Sequence, residues 1–180
     1  MKRYFMSTGN GAHDLKKSLV VLFLIISVVT IFFWQNGYVM FKVRNHETGE
    51  IIFSKMIKKD EIIKLEYIHS VTNQPVYEFF FIKDRHTLAL KEMRYDSFGA
   101  NLPVGPEKMW NEETQFIVEE GYYKILYQNR GFDVVPLRVG QVVADHTLVF
   151  ENGERMRFLD FAEGGAYVEF YVQPLLNILV

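Results

Sequence analysis

The sequence predicts an all-β domain, an antiparallel sandwich or partly closed barrel of about nine or ten strands, preceded by one N-terminal transmembrane helix. Three observations carry this expectation. Residues 18–34, SLVVLFLIISVVTIFFW, contain no charge. Beyond them the chain breaks into short apolar or alternating runs punctuated by turn residues, and helical periodicity nearly disappears. With 180 residues, 49% hydrophobic and 16% aromatic, the chain can bury one sizeable core and hardly two.

The charge-free run follows Lys16-Lys17, and its 17 residues cover about 26 Å of helix against a hydrocarbon core of about 30 Å. Trp34 and Tyr38 supply aromatic anchors at the outer interface. Residues 1–17 carry a net charge of +3, which leaves -5 for the remainder. That basic flank outweighs Lys42 and Arg44, so the positive-inside rule assigns residues 1–17 to the cytoplasm, 18–37 to the membrane and 38–180 to the outside. A cleaved signal peptide would end in small residues of the A-x-A kind, and Phe32-Phe33-Trp34-Gln35 has none. The mildly acidic body lacks the basic stripe of a nucleic-acid binder. Without cysteine, no disulfide, thiolate metal site or cysteine nucleophile is available.

Within the β domain, Tyr38 to Arg44 and Ile51 to Ile57 flank NHETGE as a first hairpin. Ile62 to Ser70 and Val76 to Lys83 flank a proline-bearing turn as a second, and His86 to Phe98 continues the sheet after Lys83-Asp84-Arg85. Residues 104–121 hold two prolines and then charges, which predicts a long crossing loop with one helical turn. In TLVFENGERMRF, residues 147–158, Asn152-Gly153 suits a two-residue type I′ turn that pairs Val149 with Met156 and Thr147 with Phe158. Gly164-Gly165 then turns Leu159 to Glu163 into Tyr167 to Val172, completing a three-stranded meander. Phe79-Phe80-Phe81 reads as a strand that is apolar on both faces, central in a sandwich or facing a partner. Lys58 to Glu61 reads as a solvated turn, and Glu112-Glu113 with Glu119-Glu120 as polar surface. Trp110 reads as a packing residue, and the C-terminal PLLNILV as an edge strand or docking segment.

One constellation stands out: Tyr67-x-His69-Ser70-Val71, then Pro75 and Glu78, then Phe98-Gly99-Ala100-Asn101-Leu102-Pro103. In this order the chain resembles the family catalogued as domain of unknown function eighteen-fifty, over most of residues 18–170. The resemblance implies a membrane-associated extracytoplasmic protein linked to TAXI-type tripartite ATP-independent periplasmic (TRAP) transporters. Its partners would be the membrane and the transporter's membrane subunit or solute-binding protein. The family carries no catalytic assignment. Its pattern has a glycine after Gly99-Ala100 where this chain has Asn101, and asparagine tolerates left-handed backbone well enough to keep such a turn.

The candidate binding residues are therefore His69, Ser70, Glu78, Gly99, Ala100, Asn101 and Pro103. A His69–Ser70 catalytic pair conflicts with strand geometry, because successive side chains point to opposite faces, and no G-x-S-x-G elbow is present. A hairpin centred near Asn73 sets position 69 across from about 77. A shift of one residue would make His69 and Glu78 cross-strand neighbours, either as a ligand-binding pair or as a hydrogen-bonded brace holding the hairpin and the Gly99 loop. The loop from Phe98 to Pro106 suits a rigid turn, or one that exposes backbone amides to an anion. His13, His46, His86 and His146 lack metal-ligand spacing and read as surface or singly satisfied groups. No metal or cofactor is expected. The leading expectation is an accessory protein acting by binding. A small-molecule or anion binding module and a hydrolase-like enzyme of unknown class are the alternatives.

Overall fold

Alternation of apolar and polar residues along YVMFKVRN is the pattern of a strand buried on one side. Val39, Phe41 and Val43 are almost wholly buried, while the residues between them are not. The computed structural model describes residues 10–35, 37–109, 112–128 and 130–175. The chain divides into two compact units, the first ending at Gly37 and the second beginning at Tyr38.

The described residues of the first unit form one helix, α1 (Asn10–Gln35). It starts before the charge-free run, since Ala12, Leu15, Lys16 and Lys17 are all good helix formers and no proline intervenes. Residues 13–33 are long and apolar enough to cross a membrane, a property common to membrane anchors and signal sequences.

The second unit opens with β1 (Tyr38–Asn45), β2 (Ile51–Lys58), β3 (Ile62–Ile68), β4 (Pro75–Ile82) and β5 (Leu88–Tyr95). Short strands follow: β6 (Lys108–Met109), β7 (Glu112–Glu113), β8 (Gln115–Glu119), β9 (Tyr122–Leu126), β10 (Gly131–Phe132) and β11 (Val135–Arg138). The unit closes with β12 (Thr147–Val149), β13 (Arg155–Arg157), a 3-10 turn at Phe158–Asp160, and β14 (Tyr167–Pro174). One antiparallel sheet has the order β11-β14-β1-β2; the other runs β13-β12-β3-β4-β5-β9-β8, with β10 on β5. Among the described residues no strand links the two sheets, so the architecture is a sandwich and not a closed barrel. Trp110 and residues 176–180 of the PLLNILV segment lie outside the described residues.

Between the sheets, Phe170 of β14 meets Phe80 of β4 edge-on at 5.5 Å, and Phe41 of β1 meets Phe150 at 5.6 Å. Central placement of β4 accounts for the Phe79-Phe80-Phe81 run. Phe80 enters the core, whereas Phe79 faces outward under the Arg94 guanidinium, 4.9 Å from its ring centre. The outer face of this sheet is laced by ion pairs, with Glu66 holding both Lys64 and Arg155, and Glu92 holding Arg94.

Four expectations need correction. The 147–158 hairpin does not use a type I′ turn. Gly153 has φ +84°, Asn152 does not share the left-handed region, and Phe150 bonds to both Glu154 and Gly153, which makes a three-residue loop. The register is therefore Leu148 with Met156 and Val149 with Arg155. That one-residue difference exchanges the faces of the hairpin, burying Leu148 and Met156 and turning Arg155 and Arg157 outward. Nor is there a three-stranded meander: the 3-10 turn carries the chain across, and β14 pairs with β1 and β11 in the opposite sheet. Residues 104–121 form no helical turn among the described residues; β6 and β7 pair with each other, and β8 forms a hairpin with β9 through Gly121. The acidic dipeptide in that stretch is not all surface, because Glu112 is buried and accepts from Gln128 N–H and Arg130 Nε, each at 3.0 Å.

The observed register makes a direct prediction. Leu148→Ala should cost about 2–5 kcal/mol in equilibrium urea unfolding, and Val149→Ala about 1 kcal/mol or less. The reverse ranking would restore the type I′ register.

Candidate functional site

Residues 69–74 close the β3–β4 hairpin. His69 N–H donates to Gln74 O at 2.8 Å, Asn73 N–H donates to His69 O at 2.8 Å, and Asn73 adopts φ +54°. The ladder then runs Ile68 with Pro75, Tyr67 with Val76 and Leu65 with Glu78. His69 and Glu78 are thus not cross-strand neighbours, because the loop consumes residues 70–73 and sets the two four positions apart along the hairpin, about 13 Å.

His69 instead closes a contact between two loops. Its Nδ1 lies 3.3 Å from both Val71 N–H and Thr72 N–H and accepts from them, so Nε2–H donates to Ala100 O at 2.9 Å. The ring lies against Gly99, where an added Cβ would stand 2.8 Å from His69 Cε1 and 3.1 Å from Thr72 Cγ2. Leu102 N–H returns to Gly99 O at 3.1 Å across Asn101, whose φ of +65° keeps the left-handed turn. Tyr95 hydroxyl then donates to Pro103 O. With both imidazole nitrogens held by backbone atoms, neither addresses the Ser70 hydroxyl. Ser70 is exposed and lines a hollow of about 570 Å³ with Arg138, Gly140, Gln141 and Gly165.

A second clasp of the same design stands beside the first. His146 is buried and singly satisfied: its Nδ1 accepts from Gly140 N–H at 3.0 Å. A Cβ on Gly140 would stand 2.7 Å from Ala144 Cβ and 2.9 Å from His146 Nδ1. The His146 ring lies 4.7 Å from the ring of Tyr67, whose hydroxyl donates to Glu78 at 3.3 Å. Glu78 is on the core side of β4, flanked across the strands by Leu65 and Met93. No sequence spacing marks His146 as part of this group; it arrives because β12 lies beside β3 with Thr147 opposite Glu66.

Of the seven candidates, His69, Gly99, Ala100 and Asn101 come together in one loop-to-loop contact, and Pro103 follows in the same loop. Ser70 faces solvent beside it, and Glu78 belongs to the Tyr67–His146 group. Burial is the main cause of each shift there. It raises Glu78 from 4.5 to about 7, a rise that the Tyr67 hydrogen bond opposes. It lowers His146 from 6.5 to about 4, with the Asp145 charge opposing. Tyr67 is raised by burial and then by the Glu78 charge. The arrangement can hold a proton on Glu78 near neutrality and can lock two loops. It brings no nucleophile to a free base.

Two predictions follow from this geometry. Gly99→Ala should cost about 1–3 kcal/mol through the collision with His69. The same change in a His69→Ala background should cost at least about 1 kcal/mol less, since the colliding ring is gone; equal costs in a double-mutant cycle by thermal unfolding would refute the contact.

The pH dependence is the second. Folded Glu78 holds its proton more tightly than the unfolded chain does, so its contribution falls as pH rises from 4.5 to about 7. Unfolded His146 takes up a proton that the folded state refuses, so its contribution rises with pH from about 4 to 6.5. Each is worth at most about 3 kcal/mol, with opposite sign. Glu78→Gln should therefore expose stability that rises with pH across this window, and His146→Gln stability that falls, in urea titrations from pH 4 to 8.

No curated protein and no solved structure matches the chain. A family model does match, over residues 63–156. That span runs from β3 to β13 and holds both clasps, Glu78 and the whole Phe98 to Pro103 loop. The chain belongs to the family described as Domain of unknown function (DUF1850).

Proposed function

We propose that this chain is a membrane-anchored extracytoplasmic accessory protein of a TAXI-type TRAP solute importer, acting by protein–protein binding, with α1 uncleaved and its N-terminus in the cytoplasm. The transporter association is what the family resemblance implies. The anchor is supported by the apolar helix with its basic flank, Lys16 and Lys17.

The observation that carries a binding role is the set of side chains on the clasped loops. Val71, Phe98, Val104, Val142 and Val143 are 70%, 47%, 72%, 85% and 54% exposed. Single exposed valines are ordinary surface, but here they recur on the three loops that the two histidines and Tyr95 hold in place. Fixing loops before an encounter lowers the ordering cost of binding. β1 runs from Tyr38 to Asn45, which pairs with Val168, and Arg138 pairs with the adjoining Tyr167 just before the 139–146 loop. These loops therefore lie at the end of the sandwich far from Tyr38. Tethering would raise the effective concentration of the domain at a partner in the same membrane.

Affinity capture of the full chain from gently solubilised membranes, co-expressed with such an importer, should recover its membrane subunit or solute-binding protein. Val71→Asp combined with Val142→Asp and Val143→Asp should cut recovery at least about tenfold, the equivalent of about 1.4 kcal/mol. Absence of every transporter component, under conditions that keep the importer itself assembled, would count decisively against the reading.

A further inference from the structure

Cations of the second unit are mostly neutralised by their neighbours. Arg44 meets Glu169, Lys55 meets Glu154, Lys124 meets Glu119, and Arg157 meets both Asp145 and Asp160. Lys59, Lys83 and Lys91 break the pattern: among the described residues no carboxylate lies within 4.0 Å of any of them. They come from three separate segments, yet all three line one hollow of about 540 Å³. A β-bulge contributes the third. Phe79 pairs with Glu92 and Phe80 with Leu90, which leaves Lys91 as the extra residue of the bulge, opposite no residue of β4. Asp60, also on the rim, is paired with Lys58 at 3.9 Å. Below the exposed ammonium groups lie Ile62, Ile82 and Tyr127, the last two almost wholly buried.

Position adds to charge. Lys58, adjoining Lys59, is the cross-strand partner of Tyr38, the residue at which the second unit begins. The sequence just before Tyr38 is the apolar segment of membrane-spanning length. We propose that this hollow binds the phosphate of an anionic phospholipid headgroup, with Lys59, Lys83 and Lys91 neutralising it and the apolar floor receiving the carbons next to it. Lysines that an anchor holds near a bilayer are attracted to its anionic lipids, and the volume falls within the range of about 300–1,000 Å³ typical of small-molecule sites. The inference rests on the anchored reading but not on the transporter partner.

The test is a lipid titration of the purified full chain in nonionic detergent, read by native mass spectrometry. Phosphatidylglycerol should bind at least tenfold more tightly than phosphatidylcholine. Lys59→Gln with Lys83→Gln and Lys91→Gln should lower its affinity at least tenfold, with an unchanged thermal midpoint because all three side chains are exposed. Lys42→Gln, which removes a cation from β1 away from the hollow, should change nothing. Should the triple variant not fold, Lys59→Gln and Lys91→Gln singly carry the comparison. Equal binding of the two lipids, or no loss in the variants, would overturn the proposal. Inorganic phosphate binding as tightly as phosphatidylglycerol would also overturn it, by placing a soluble anion there. Carbonate-washed membranes separate the two readings: release of the chain defeats the anchor, whereas retention without lipid selectivity defeats the headgroup site alone.

Discussion

The contact between Phe80 and Phe170 joins two sheets that share no strand among the described residues. Two antiparallel sheets stacked in this way cohere only through the side chains of their facing surfaces. Here those surfaces are aromatic at the centre, with Phe41, Phe80, Phe150 and Phe170 each at most 2% exposed. Because the side-chain period of a strand is two, a register that buried Phe80 had to turn Phe79 outward and hold Glu78 on the core side. The perturbed carboxylate is thus a direct consequence of how the core is packed, and the same strand that builds the sandwich supplies its least comfortable group.

Much of the architecture was legible from pattern. Alternation and turn residues identified the hairpins at 38–57 and 62–82, and the charge-free run identified the helix. The misreadings share a physical cause. At Asn152-Gly153 the sequence suits several turn types, and only the tertiary demand to bury Leu148 and Met156 selects the three-residue loop. The return of β14 to β1 depends on pairing across more than one hundred residues, which no local signal encodes. Sequence order brought the Tyr67 to Val71 and Phe98 to Pro103 motifs forward as one constellation, and the contact between them is real, but its chemistry is a histidine held by backbone atoms. Glu78 lies four positions from His69 because the hairpin turns tightly at residues 70–73, earlier than its proline suggests.

The two histidine clasps follow a common economy of space. In each, an imidazole nitrogen receives a backbone N–H beside a glycine whose Cβ position is already filled, by the His69 ring at Gly99 and by Ala144 together with His146 Nδ1 at Gly140. A glycine is required in both places for close approach rather than for backbone freedom. The asparagine at 101 serves the other requirement, a left-handed φ, and shows that the two demands on this loop are separable. The family match covers the larger sheet through β13 and leaves β1, β2 and β14 outside it, so the shared part of the fold is the part that carries the clasps and Glu78.

The pairing of β1 with β14 also governs the order of events during biosynthesis. Val39 is held in register with Pro174, so the smaller sheet cannot be completed until residue 174 has emerged. Contacts of such long sequence separation form slowly, and until then β1 presents an unsatisfied edge that a neighbouring nascent chain can capture.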